Sequence, residues 1–228
     1  MCQPRNASEI KWSELRPADA NAWREGGRSL NNAESVTIIL LNGTSGAGKT
    51  SIARALQQIM DVPYLHVPID SFGDMAPGPD KLGEPGSRAW QDVFNRVLSG
   101  FHHSLAALAA AGNNLIVDHV IVQGGEPENW LTECVDVLAP FTAYFIGVHC
   151  PLEELRRRER ARGDREEGQA ERQLSHVHRH GVYDLELDTS LLSAEQCARK
   201  IKKLVERDAH PQALLTLRRD APTRDHRP

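Results

Sequence analysis

A three-layer α/β/α fold on a five-stranded, mostly parallel sheet is what the 228-residue sequence predicts, and three observations predict it. Short apolar runs alternate with helical patterns, the order that gives parallel strands with helices on both faces. One of these runs, Val36–Leu41, passes through a glycine-rich loop into an amphipathic stretch beginning at Thr50. The chain is long enough for one full α/β core and short for two.

The first strand is the β-branched run Val36-Thr37-Ile38-Ile39-Leu40-Leu41. Tyr64–Ile69 reads as a second strand, Leu115–Asp118 as a third, Ala143–Val148 as a fourth and Asp184–Asp188 as a fifth. Helical spacing fills the gaps over about 88–111, 127–139, 151–162, 166–179 and 193–208. The last of these opens on Ser193-Ala194-Glu195-Gln196, a capping-box arrangement that fixes its start. Residues 71–87, with four glycines and three prolines, read as a long functional loop whose Phe72 and Met75, with Trp90 beyond, offer apolar surface. Residues 1–35 form a polar N-terminal extension carrying Trp12 and Trp23, expected to include a short helix and ending in a Gly/Asn linker. The main domain is expected over 36–208, and 209–228, rich in Pro, Arg and Asp, are expected to trail off as a disordered tail.

Residues 43–50, Gly-Thr-Ser-Gly-Ala-Gly-Lys-Thr, match the pattern G-x-x-x-x-G-K-[ST]. A chain of this length meets that pattern by chance roughly once in a hundred sequences. Here it stands between a strand and a helix, where its chemistry requires it. The backbone N–H groups of Gly43, Thr44, Ser45, Gly46, Ala47 and Gly48 can cradle phosphate, and the helix that follows adds a partial positive charge. Lys49 reaches the β- and γ-phosphates, the Thr50 hydroxyl ligates Mg²⁺, and Ser51 is expected among the nucleotide-binding residues with them. The sequence therefore predicts binding of a nucleoside triphosphate with Mg²⁺.

Composition narrows the partners. A formal charge of −4 gives no reason to expect nucleic acid or an acidic membrane. No apolar stretch has the length of a membrane span or signal peptide, so a cytoplasmic location is expected. Cys2, Cys134, Cys150 and Cys197 form no C-x-x-C pair, and Cys134 and Cys150 read as buried thiols. The alternating His176, His178 and His180 lack the companions of a metal site and read as structural or surface residues.

Four other residues are candidates for chemistry. Asp118 ends an apolar strand, where a carboxylate either holds Mg²⁺ or only starts a turn. Asp70 follows the second strand and should emerge at the same rim of the sheet. It either takes the proton of an attacking hydroxyl, caps a helix, or orients a metal-bound water. An aspartate is ionised at neutral pH, as a base must be. Arginines crowd residues 151–172, and the interleaved acids make most of them, Arg156 to Arg158 included, a paired surface. Arg162-Gly163-Asp164-Arg165 differs, because the glycine leaves Arg162 and Arg165 flanking a turn suited to a lid over phosphates.

Taken together, five stretches resemble the chloramphenicol phosphotransferase family, small P-loop kinases with folds like those of shikimate and adenylate kinases. These are Ile39–Thr50, Ile69–Phe72, Leu115–Asp118, Ala161–Arg165 and Tyr183–Thr189, spread over about 36–207. The resemblance implies a P-loop kinase-like fold with an Arg-containing lid, and transfer of the ATP γ-phosphate to an alcohol, in that family a hydroxyl of chloramphenicol. It implies Asp70 as the base, Arg162 and Arg165 as lid residues, and Asp188 and Thr189 near the nucleotide base. In the family pattern a second acidic residue tends to follow the Asp118 position, where this chain has His119. Two other readings stay open: a metabolic small-molecule or nucleoside kinase of the same fold, and a nucleotide-dependent switch or binding module. The sequence leaves the acceptor, the oligomeric state and the purpose of residues 1–35 open.

Overall fold

A computed structural model describes residues 36–82, 84, 86–123, 130–162, 168–207 and 210–220. Five strands, β1 (Thr37–Asn42), β2 (Tyr64–Pro68), β3 (Asn114–His119), β4 (Thr142–His149) and β5 (Leu185–Asp188), form one sheet in the order β2-β3-β1-β4-β5. Every pairing is parallel. The central β1 pairs Leu41 with Asp118 of β3 on one side and with Ile146 of β4 on the other.

The continuous apolar run of β1 follows from burial on both faces. Ile38 and Leu40 point to one layer, Ile39 and Leu41 to the other, and all four are fully buried. The first layer contains α4 (Arg88–Ala110), α5 (Trp130–Leu138) and α9 (Ala213–Asp220), contributing Phe101, Leu105, Leu138 and Leu214. The second contains α1 (Lys49–Ile59), α6 (Leu152–Arg162), α7 (Gln169–Val177) and α8 (Ala194–Glu206), contributing Ile52, Leu56, Leu155 and Ile201. Ser193 caps α8 through the expected reciprocal box with Gln196. Ser87 caps α4 by accepting from Trp90 N–H at 3.3 Å.

Two expectations are corrected. Residues 71–87 are not a plain loop, since α2 (Ile69–Gly73) and α3 (Pro79–Leu82) fold within or across them. The region expected to trail off after 209 holds α9, whose Ala213 and Leu214 are buried against the first layer. Asp184 fixes its start, Oδ1 accepting from the N–H groups of Gln212 and Ala213. Trp12, Trp23 and the rest of the N-terminal extension lie outside the described residues, as do 127–129 and 166–167 of the expected helices.

Candidate active site at the carboxyl edge of the sheet

The strand order reverses about β1, and the glycine loop leaves β1 at that point, where open α/β sheets bind ligands. Gly48 has φ of 92°, a left-handed conformation that lets the chain turn into α1. Gly43 is required for a different reason from the one the motif suggests: a side chain there would run into the Val148 carbonyl of β4. The first residue of the loop is glycine because of packing, the sixth because of backbone conformation.

At the start of α1, Lys49 is nearly buried and donates to Thr44 O at 2.9 Å. Its Nζ stands 3.6 Å from Asp118 Oδ1. The Thr50 hydroxyl donates to Asp118 Oδ2 at 2.6 Å, so β3 and α1 bring the two expected Mg²⁺ ligands together. Burial pushes the Asp118 carboxyl up, yet nearby His66, the Lys49 charge and the Thr50 hydroxyl outweigh it and hold the group below its ordinary value. An ionised carboxylate against a hydroxyl, both hard oxygen donors, suits Mg²⁺.

Asp70 is in the first turn of α2, exposed at the rim next to the loop. Two cavities meet beside it. One, of about 600 Å³, is lined by Gly48, Lys49, Thr50, Asp118, Arg158 and Thr189. The other, of about 590 Å³, is mostly apolar and includes Ile69, Trp90, Phe94, Leu98 and Trp130 in its walls. Ser45, Ile69, Asp70 and Val120 line both. The apolar cavity has an aromatic side, with Trp90 stacked on Phe94 at 4.9 Å and Phe94 against Trp130 at 5.4 Å.

His119 belongs to that second cavity. Val120 N–H donates to its Nδ1 at 2.9 Å, which leaves the proton of a neutral ring on Nε2. That nitrogen faces His102 Nε2 at 3.0 Å, so His102 is protonated on Nδ1 and donates to Glu133 Oε2 at 2.9 Å. Ser99 Oγ donates to the other carboxylate oxygen at 2.6 Å. Burial pushes both imidazoles down, His119 far down. At the position after Asp118 the chain thus presents a neutral, directionally hydrogen-bonded wall.

Arg158 is the residue that sequence reasoning missed. Instead of joining the surface, it crosses the glycine loop and donates to Gly46 O at 3.2 Å, Thr189 Oγ1 at 3.0 Å and Thr189 O at 2.8 Å. Thr189 Oγ1 in turn donates to Ala47 O at 2.8 Å. Hydrogen bonds from Arg157 and then Arg158 pull the Glu154 carboxyl down to about 2. A signal was available: Leu155, fully buried, marks the inward face of α6, and Arg158 follows it by three residues. Arg156 does pair at the surface, with Glu171 at 2.8 Å. Asp188 accepts from Ser190 beside the same cleft at 2.8 Å. The side chain of Arg162 and all of Arg165 lie outside the described residues.

His176 and His178, two of the alternating histidines, make contacts within the protein. His178 bonds Tyr183 OH at 2.7 Å and stacks on His149 at 3.9 Å, while His176 meets Gln123 O at 3.0 Å. Among the described residues no group of three His, Cys, Asp or Glu could hold a metal ion.

An all-parallel five-stranded sheet carrying this loop, lysine and strand-end aspartate defines the class of P-loop nucleotide-binding proteins. The structure is similar to the Mycobacterium tuberculosis APS kinase CysC in complex with AMPPNP and APS, with a TM-score of 0.56 and 18% identity over 75% of this chain and 98% of that one. It is also similar to Acinetobacter baumannii shikimate kinase in complex with shikimate, with a TM-score of 0.53 and 16% identity over 79% and 99%. Residues 36–206 match the family model described as chloramphenicol phosphotransferase-like protein, and the chain belongs to that family. It is 29% identical over 202 residues to "Putative O-phosphotransferase Rv2636" of Mycobacterium tuberculosis, covering 80% of this chain and 88% of that protein. The protein is accordingly a kinase-type phosphotransferase.

Proposed function

We propose that the protein transfers the γ-phosphate of ATP to a hydroxyl of a small, largely apolar molecule of the chloramphenicol type. The observation that carries this reading is the meeting of two cavities at Asp70, one on the glycine loop and one walled by Ile69, Trp90, Phe94 and Trp130. No lysine or arginine is among the described residues lining the apolar cavity, which favours an uncharged acceptor over an anionic metabolite.

In the proposed reaction the loop amides and Lys49 hold the triphosphate and offset its charge. The acceptor hydroxyl attacks the γ-phosphorus, the bond to the β,γ-bridging oxygen breaks, and ADP leaves with that electron pair. Asp70 takes the hydroxyl proton and orients the oxygen for attack. Thr50 and Asp118 would hold Mg²⁺, which when bound neutralises charge on the β- and γ-phosphates. Arg162 and Arg165 close over the phosphates as lid residues, and Asp188 and Thr189 border the nucleotide base. No helix among the described residues is long and apolar enough to cross a membrane, and a cytoplasmic site of action is part of the proposal.

The test is incubation with MgATP and chloramphenicol, followed by mass spectrometry of the product. The expected product is heavier by one phosphoryl group and disappears in Lys49→Ala. ATP turnover that leaves chloramphenicol unmodified would discard that acceptor and send the search to other hydroxylated compounds.

A further inference from the structure

Gln173 of α7 occupies a backbone donor of the phosphate loop. Its Oε1 accepts from Ser45 N–H at 2.8 Å, across 128 positions of sequence. Ser45 lines both cavities, whereas Gln173 lines the apolar one. Only the terminal phosphate passes from one cavity to the other, so the boundary at Ser45 and Asp70 is where it must travel in the proposed reaction. The amide's orientation is fixed by chemistry: an N–H can face only the carbonyl oxygen, so Nε2 is left as the free end of the side chain. No hydrogen bond engages Gln173 Nε2 among the described residues.

The helix that carries this amide is pinned at both ends. Glu159 of α6 accepts from Gly168 N–H at 3.2 Å and from Ala170 N–H at 2.8 Å, satisfying the donors that open α7. At the other end Val177 O accepts from Asn42 Nδ2 at 3.1 Å, and Asn42 is the last residue of β1 before the loop. Gln173 is thus held in fixed relation to the loop, as a preorganised donor must be.

We propose that Gln173 is a γ-phosphate contact, its Nε2 donating to the transferring phosphoryl group at the junction of the two cavities. The assignment rests on the phosphotransferase reading and adds to it a residue that distinguishes ATP from ADP. Two substitutions separate this role from simple capping of Ser45. Gln173→Glu keeps an oxygen for Ser45 N–H but replaces the donor by a negative charge. Gln173→Leu removes both polar ends at similar size.

The experiment is calorimetric titration of the full chain with MgADP and with the magnesium complex of the β,γ-imido analogue of ATP, after circular dichroism has verified folding. Affinity for MgADP should hold in both variants. Affinity for the triphosphate should fall about tenfold in Gln173→Leu, the scale of a lost hydrogen bond to a charged group, and further in Gln173→Glu, where like charges meet. A Gln173→Glu protein with the wild-type ratio of triphosphate to diphosphate affinity would overturn the assignment and leave the enzyme reading standing. A wild-type chain that binds neither nucleotide would overturn both.

Discussion

Arg158 does at the glycine loop what no residue within the loop can do. The loop needs its N–H groups facing phosphate, which leaves carbonyls such as that of Gly46 facing away from the ligand and in need of donors. The Arg158 guanidinium bonds that carbonyl and both oxygens of Thr189, while Glu154 Oε1 accepts from its Nε at 2.8 Å. Its planar fork matches this set of acceptors, and a lysine could not span them. Arg158→Ala is therefore expected to cost about 2 kcal/mol of stability through its lost charged hydrogen bonds, and to weaken ATP binding about tenfold. Arg158→Lys should recover little of either. Thermal melts and nucleotide titrations of the two variants check this, and wild-type behaviour in Arg158→Lys would show that charge alone suffices.

At the scale of elements, what could be read from the sequence was what local chemistry dictates. Strand β1, the loop, the start of α8 and the end of β3 were legible because each needs particular residue types at fixed spacing. Lys49, Thr50 and Asp118 accordingly meet in space as their spacing implied. Contacts made across the fold were not legible. Glu159 looked like one more acid in a charged run, yet it is 7% exposed and caps α7. Gln173 carried no signal, because its partner Ser45 is brought to it only by the packing of α7 beside β1. Helices α2 and α3 were hidden by glycines and prolines that punctuate them rather than exclude them. The helix α9 was missed because its composition is that of a tail, while Ala213 and Leu214 find a core already built by α5 and β4.

Across the whole molecule the histidines set how stability responds to acid. Burial pushes His178 and His180 each down to about 4 and lowers His102 as well. The unfolded chain therefore binds protons from about pH 6.5 downward that the folded chain refuses. The sign follows: stability is fully present above that pH, and falls as pH drops toward the folded-state values. The slope is about 1.4 kcal/mol per pH unit for each such proton. Asp118 and Glu133, whose carboxyls are held low, add losses in the same direction at lower pH. Urea midpoints should decline between about pH 7 and pH 5, before ordinary carboxylates titrate. Equal midpoints at those two pH values would contradict the burial of neutral histidines.

The same whole-molecule geometry brings a nucleotide cleft and an apolar cavity to one carboxylate, and that is the account's central claim. The most direct test is Asp70→Asn, which preserves shape and removes the base. MgATP affinity should stay close to wild type by calorimetry while phosphoryl transfer to the acceptor is abolished. Unimpaired turnover in Asp70→Asn would contradict the claim and move the chemistry away from the junction of the two cavities.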